Sequence, residues 1–149
     1  MSNSEVISFL QQYRKLYRNI ENQTARLDFM ESQISLGSSA KSDFPKSTSP
    51  EKDKIALYVS SKIDLENDIK DSQRKLLELR NTISTAASKL KNSDTKATVL
   101  ARYIDFMKWQ DVSFMLFGGN SDYLMREESY LRRTFALHKK AVCEIKEFL

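Results

Sequence analysis

The chain predicts an all-α fold: a long antiparallel coiled-coil helical hairpin followed by a helix-turn-helix-like bundle. Three observations lead there. Apolar residues recur with a period of seven along two long stretches. Only three Gly and two Pro punctuate 149 residues, which argues for helix and against a sheet-rich fold. From Ala97 to Val142 the rhythm changes to that of short amphipathic helices around a Gly118-Gly119-Asn120 break.

Asn3 or Ser4 is expected to cap a first helix running to about Ile34. Val6, Tyr13, Ile20, Leu27 and Ile34 take one seam position of the heptad; Phe9, Leu16, Gln23 and Met30 take the other. So narrow a stripe suits a coiled coil more than a globular core. Periodicity stops at Leu36. A Ser-rich, disordered loop is expected over about 36–50, with Gly37, Pro45 and Pro50 inside it and Phe44 as its one docking candidate.

Ser49-Pro50-Glu51 combines a capping hydroxyl, a first-turn proline and an acid at the positive end of the helix dipole. The heptad then resumes. Ile55, Lys62, Ile69, Leu76, Ile83 and Leu90 alternate with Tyr58, Leu65, Ser72, Leu79 and Ala86. Two such helices bury each other's seams most simply as a hairpin, with Gln23, Lys62 and Ser72 setting register. The same stripes also permit an intermolecular assembly, and a homo-oligomer is expected. Glu66, Lys70, Lys75, Glu78 and Arg80 lie off the seam, on a solvated face.

The chain divides accordingly into a hairpin over 1–92 and a helix-turn-helix-like domain over 93–149. In the second, one helix carries Leu100, Tyr103, Ile104 and Met107. Another starts at Trp109 and carries Val112, Met115, Leu116 and Phe117. After the glycine break comes a long, partly basic helix. This order can lay its last helix in a DNA major groove, although many helical bundles share it without binding DNA.

Residues Asp53 to Ile69 (DKIALYVSSKIDLENDI), Ala101 to Leu116 (ARYIDFMKWQDVSFML) and Leu137 to Ile145 (LHKKAVCEI) together resemble the ArpU/RinA-type phage regulators. The C-terminal portion of that family is similar to region four of bacterial sigma factors. The resemblance spans nearly the whole chain and implies a phage or prophage transcription regulator with a sigma-like helix-turn-helix. One departure stands out: Gly118 to His138 takes twenty residues where the family takes about ten. The extra stretch, Gly119 to Ser129, is acidic and aromatic. It either lengthens the last helix at its N-terminus or adds a separate turn before it, and Asp122, Glu127 and Glu128 would repel phosphate if they faced the groove.

With Tyr130 to Val142 as the recognition helix, Leu131, Thr134 or Phe135, Leu137 or His138, and Ala141-Val142 face inward onto Trp109, Val112 and Leu116. Arg132, Arg133, Ala136, Lys139 and Lys140 face outward. Arginine's fork of donors suits guanine edges and lysine suits phosphates, so Arg132 and Arg133 are assigned to bases and Lys139 and Lys140 to the backbone. The alternative is that these cations solubilise the helix and pair with Glu128 or Glu144. His138 is a further DNA candidate, or else a partly buried hydrogen-bonder. Trp109 and Cys143 are expected in the core.

The partner implied is double-stranded DNA, with RNA polymerase or another protein as a second contact for the coiled coil. A protein-binding adaptor or inhibitor on a remodelled regulator scaffold is the alternative. A continuous basic face over Arg132, Arg133, Lys139 and Lys140 favours the first; an apolar or acidic face over Asp122 to Glu128 favours the second. The net charge of +4 permits a polyanionic partner without requiring one. A lone cysteine and a lone histidine offer no disulfide or zinc site. No enzyme and no cofactor are expected, since phosphate-binding glycine loops and nucleophile–base constellations are missing. Without a membrane-length apolar run or a signal-like start, the bacterial cytoplasm is the expected compartment.

Overall fold

Ser2, not Asn3 or Ser4, caps the first helix. Its Oγ accepts from Glu5 N at 3.2 Å while its own N–H donates to Glu5 Oε2 at 2.6 Å. This reciprocal pairing satisfies two otherwise unpaired groups at a helix start. The hydrogen bonds from Ser2 hold the Glu5 carboxyl below its ordinary pKa.

The computed structural model describes residues 1–39 and 50–149, with side chains from 1–37 and 53–149. Helix α1 spans Asn3–Ser39 and α2 spans Pro50–Ser88. Helix therefore takes in Leu36 to Ser39, which were expected to be loop. Residues 40–49, including Phe44, Pro45 and the expected cap Ser49, lie outside the described residues. Gly37 lies inside α1, and its lack of a Cβ leaves room for the side chain of Ile55 in α2. Every seam position of both helices is buried or half-buried, so the heptads are covered within one chain.

Packing groups the chain differently from the expected division at residue 92. Residues 16–75 form one unit, and 1–15 with 76–149 form another. In the first, Met30 of α1 packs with Leu65 and Ile69 of α2, flanked by Leu27 and Tyr58. Lys62 reaches Glu31 across the pair at 3.5 Å and Glu66 at 3.7 Å. Gln23 buries its Oε1 without a hydrogen-bond partner.

In the second unit, Val6, Leu10 and Tyr13 meet Ile83, Ala86, Ala87 and Leu90, the pairing of an antiparallel hairpin. The same core continues into Val99, Tyr103, Ala141, Val142 and Ile145. Helix α1 thus has neighbours on more than one side here. Its buried stripe widens to include Leu10, fully buried, beside half-buried Phe9.

Three shorter helices complete this unit: α3 (Ser93–Val99), α4 (Trp109–Phe117) and α5 (Glu127–Ile145). Asn92 caps α3, its side chain accepting from Asp94 N at 2.8 Å. Thr95 and Thr98 are fully buried, and their hydroxyls bond back to the carbonyls of Asn92 and Asp94. Helix α3 then widens into a π-turn over Leu100–Ile104. Met107, expected on this helix, lies beyond it: the π-turn ends at Ile104, and Phe106 takes a positive φ of 58°. Among the described residues there is no strand, and no helix is long and apolar enough to cross a membrane.

Candidate nucleic-acid interface

Helix α5 has one committed face. Tyr130, Thr134, Ala141, Val142 and Ile145 are buried, and Thr134, fully enclosed, bonds its hydroxyl back to the Tyr130 carbonyl at 2.9 Å. Helix α5 packs against both α3 and α4. Helical spacing then turns Arg132, Arg133, Ala136, Lys139 and Lys140 to solvent, and all five are exposed. These residues form a basic strip along two central turns of α5. Of the expected inward residues, Thr134, Ala141 and Val142 are buried and Leu131, Leu137 and His138 are half-buried. Phe135 stays exposed, with its ring edge-on to Trp109 at 5.2 Å.

The strip is partly occupied. Arg132 stands 4.0 Å from Glu128, Lys140 stands 4.0 Å from Glu144, and the Arg133 guanidinium lies 5.1 Å above the Tyr130 ring. The cations of these pairs are exposed to water, where such pairs contribute little and exchange readily for another anion. Lys139 is exposed between them.

His138 is held differently from the other candidates. Its Nε2 and the Tyr103 hydroxyl share a hydrogen bond of 2.6 Å, and its ring lies edge-on to Trp109 at 4.8 Å. Burial, with help from the nearby Arg102 cation, lowers the imidazole pKa. Burial also pushes the Tyr103 phenol up to about 12. Both shifts favour the neutral forms, because burial penalises the charge in each ring.

Two features escaped the sequence reading. Arg102 stacks on Trp109 at 4.6 Å and donates from Nη1 to the Met107 carbonyl at 2.9 Å, bracing the link between the π-turn and α4. Trp109, expected as core, is half-buried in this bracket. Cys143, also expected inside, is exposed and accepts from Asn3 Nδ2 at 3.3 Å. With Val142 and Ile145 facing the core, its place on the helix falls at the rim. The Arg102-Tyr103 dipeptide ahead of Trp109 was the available sign of the bracket.

The stretch between α4 and α5 forms a separate turn of helix, a 3₁₀ segment over Tyr123–Met125. Tyr123 is buried, stacked on Tyr130 at 5.6 Å and edge-on to Phe114 at 5.5 Å. Tyr130 donates its hydroxyl to Asp122, which also faces Arg126 at 3.7 Å. The Tyr130 hydrogen bond lowers the Asp122 pKa, and Arg126 and Arg133 add to the effect. With its tyrosine inward, this turn holds Leu124 82 % and Met125 89 % exposed, beside exposed Glu127 and Glu128. The connection over 118–126 is longer than the three or four residues usual in a helix-turn-helix. Among the described residues no cluster of His, Cys, Asp and Glu could hold a metal ion.

Comparison with protein-family models, with curated proteins and with solved structures gave no match.

Proposed function

We propose that this protein is a phage or prophage transcription regulator that binds double-stranded DNA through α5. The observation that carries the reading is the strip Arg132, Arg133, Ala136, Lys139 and Lys140, exposed together on a helix whose opposite face is locked into a packed core. A rigid helix with cations around a small residue can approach a groove closely, with lysines on phosphates and arginines within reach of base edges. Glu127 and Glu128 at the start of α5 disfavour entry by its N-terminal tip, so its central turns would make the contact. Leu57, Val59 and Ile63, exposed on α2, offer apolar surface for a homo-oligomer or for a contact with RNA polymerase.

Fluorescence anisotropy on a mixed-sequence duplex across a salt series tests the reading. With four to six phosphates contacted, log affinity should fall against log salt with a slope of about −4 to −5. Arg132→Ala/Arg133→Ala should weaken binding without unfolding the chain, since both side chains are exposed. No binding at low salt refutes it.

The second reading, a protein-binding adaptor or inhibitor, is favoured by one observation: the face over Asp122 to Glu128 is both apolar and acidic, with Leu124 and Met125 outward. Loss of DNA binding as an expectation would leave that reading standing.

A further inference from the structure

Beside the 3₁₀ turn, α4 presents Phe114 at 61 % and Met115 at 46 % exposure. The Phe114 ring lies over Gly118, where a Cβ would come within 2.8 Å of it, and edge-on to Tyr123. Phe114, Met115, Leu124 and Met125 thus stand outward on elements that are themselves fixed. Met125 N and Arg126 N both bond to the Asp122 carbonyl at 3.1 Å, and buried Tyr123 pins the turn from beneath. Large apolar side chains held outward by buried anchors mark a binding face. Leucine and unbranched methionines around an aromatic ring adapt to the ridges of a helix.

The charge around this surface selects its partner. Residues 109–125 contain no Lys or Arg. Asp111 is exposed one helical turn before Phe114 and Met115, on the same side of α4. Arg126, which faces Asp122 at 3.7 Å, follows Met125, and exposed Glu127 and Glu128 come after it. The border sets Asp111, Asp122, Glu127 and Glu128 against Arg126 and Arg132, the latter 4.0 Å from Glu128, an acidic balance that favours an apolar face with a basic border.

We propose that Phe114, Met115, Leu124 and Met125 dock an amphipathic helix of a partner protein whose apolar face is flanked by lysines or arginines. The inference rests on the protein-binding reading and uses none of the cations of α5. Leucines of the partner cover Leu124 and Met125, while its cations meet Asp111, Glu127 and Glu128.

The full-length chain is titrated into two labelled helical peptides of identical pattern, one of leucine and lysine, the other of leucine and glutamate. The Leu/Lys peptide should bind. Leu124→Ser/Met125→Ser should weaken it about tenfold or more, as expected for losing two buried apolar side chains. Circular dichroism should be unchanged, because both residues are exposed. Asp111→Asn/Glu127→Gln should weaken it severalfold at low salt and little at high salt. If the Leu/Glu peptide binds as tightly, and is equally sensitive to Leu124→Ser/Met125→Ser, the basic partner is wrong while a protein-docking surface survives. If Leu124→Ser/Met125→Ser leaves binding untouched, this surface is wrong; if neither peptide binds, the surface and the protein-binding reading fall together.

Discussion

His138 is the only histidine in the chain, so mild acidification reads a single imidazole. Burial and Arg102 hold its pKa in the folded state below the unfolded value of 6.5. As pH falls through 6.5 the unfolded chain takes up the proton first. The stability that comes from keeping His138 neutral is therefore present above pH 6.5 and lost as pH falls toward the folded pKa. One such proton changes stability by at most about 1.4 kcal/mol per pH unit. The ring is only half-buried, so solvent screening reduces this. Even a part of it is measurable against a total of about 5–15 kcal/mol. Urea denaturation at about pH 7.5 and about pH 5.5 should show wild type losing more stability than His138→Gln, whose amide keeps a polar partner for Tyr103 without titrating. The imidazole Cε1 proton resonance should titrate below 6.5. The same variant should leave the slope of DNA affinity against salt unchanged, because a neutral imidazole releases no counterion. Parallel losses in both proteins, or an imidazole titrating at or above 6.5, would refute the reasoning.

Other perturbations separate the packing claims. Leu10→Ala, at a fully buried site, should cost about 2–5 kcal/mol in urea denaturation, whereas Leu57→Ala, on an exposed face, should stay within about 0.5 kcal/mol. Gln23→Leu should raise stability by about 1–3 kcal/mol by removing a buried oxygen that lacks a partner; a melting temperature that falls would show that Gln23 is satisfied in solution. Asn92→Ala should cost about 1 kcal/mol through loss of the α3 cap, and hydrogen exchange should report it first at Asp94 and its neighbours.

Much of this architecture is a matter of period, and period is written in sequence. A heptad of apolar residues can only be covered by another helix, so Val6, Met30, Leu65, Ile69, Ile83 and Leu90 declared the seams before any contact was known. The start of α4 at Trp109 and the break at Gly118 were equally local, as was the alternation that sends Arg132, Arg133, Lys139 and Lys140 outward once Thr134, Ala141 and Val142 face the core. The pairing of Ser2 with Glu5 was legible too, as a serine three residues before a glutamate, but a neighbouring Asn and Ser competed for the role. What sequence could not settle depends on which neighbours arrive. Leu10 outranks Phe9 because α1 meets residues of α2 and α5 in one core. Gly37 sits within α1, where the side chain of Ile55 occupies the space a Cβ would take. His138 loses its claim as a surface cation because Tyr103, Trp109 and Arg102, distant along the chain, converge on it. Leu124 and Met125 look like ordinary core residues in sequence, and buried Tyr123 between α4 and α5 turns them outward. Local periodicity decides which faces are apolar; only the tertiary arrangement decides which of those faces is left uncovered.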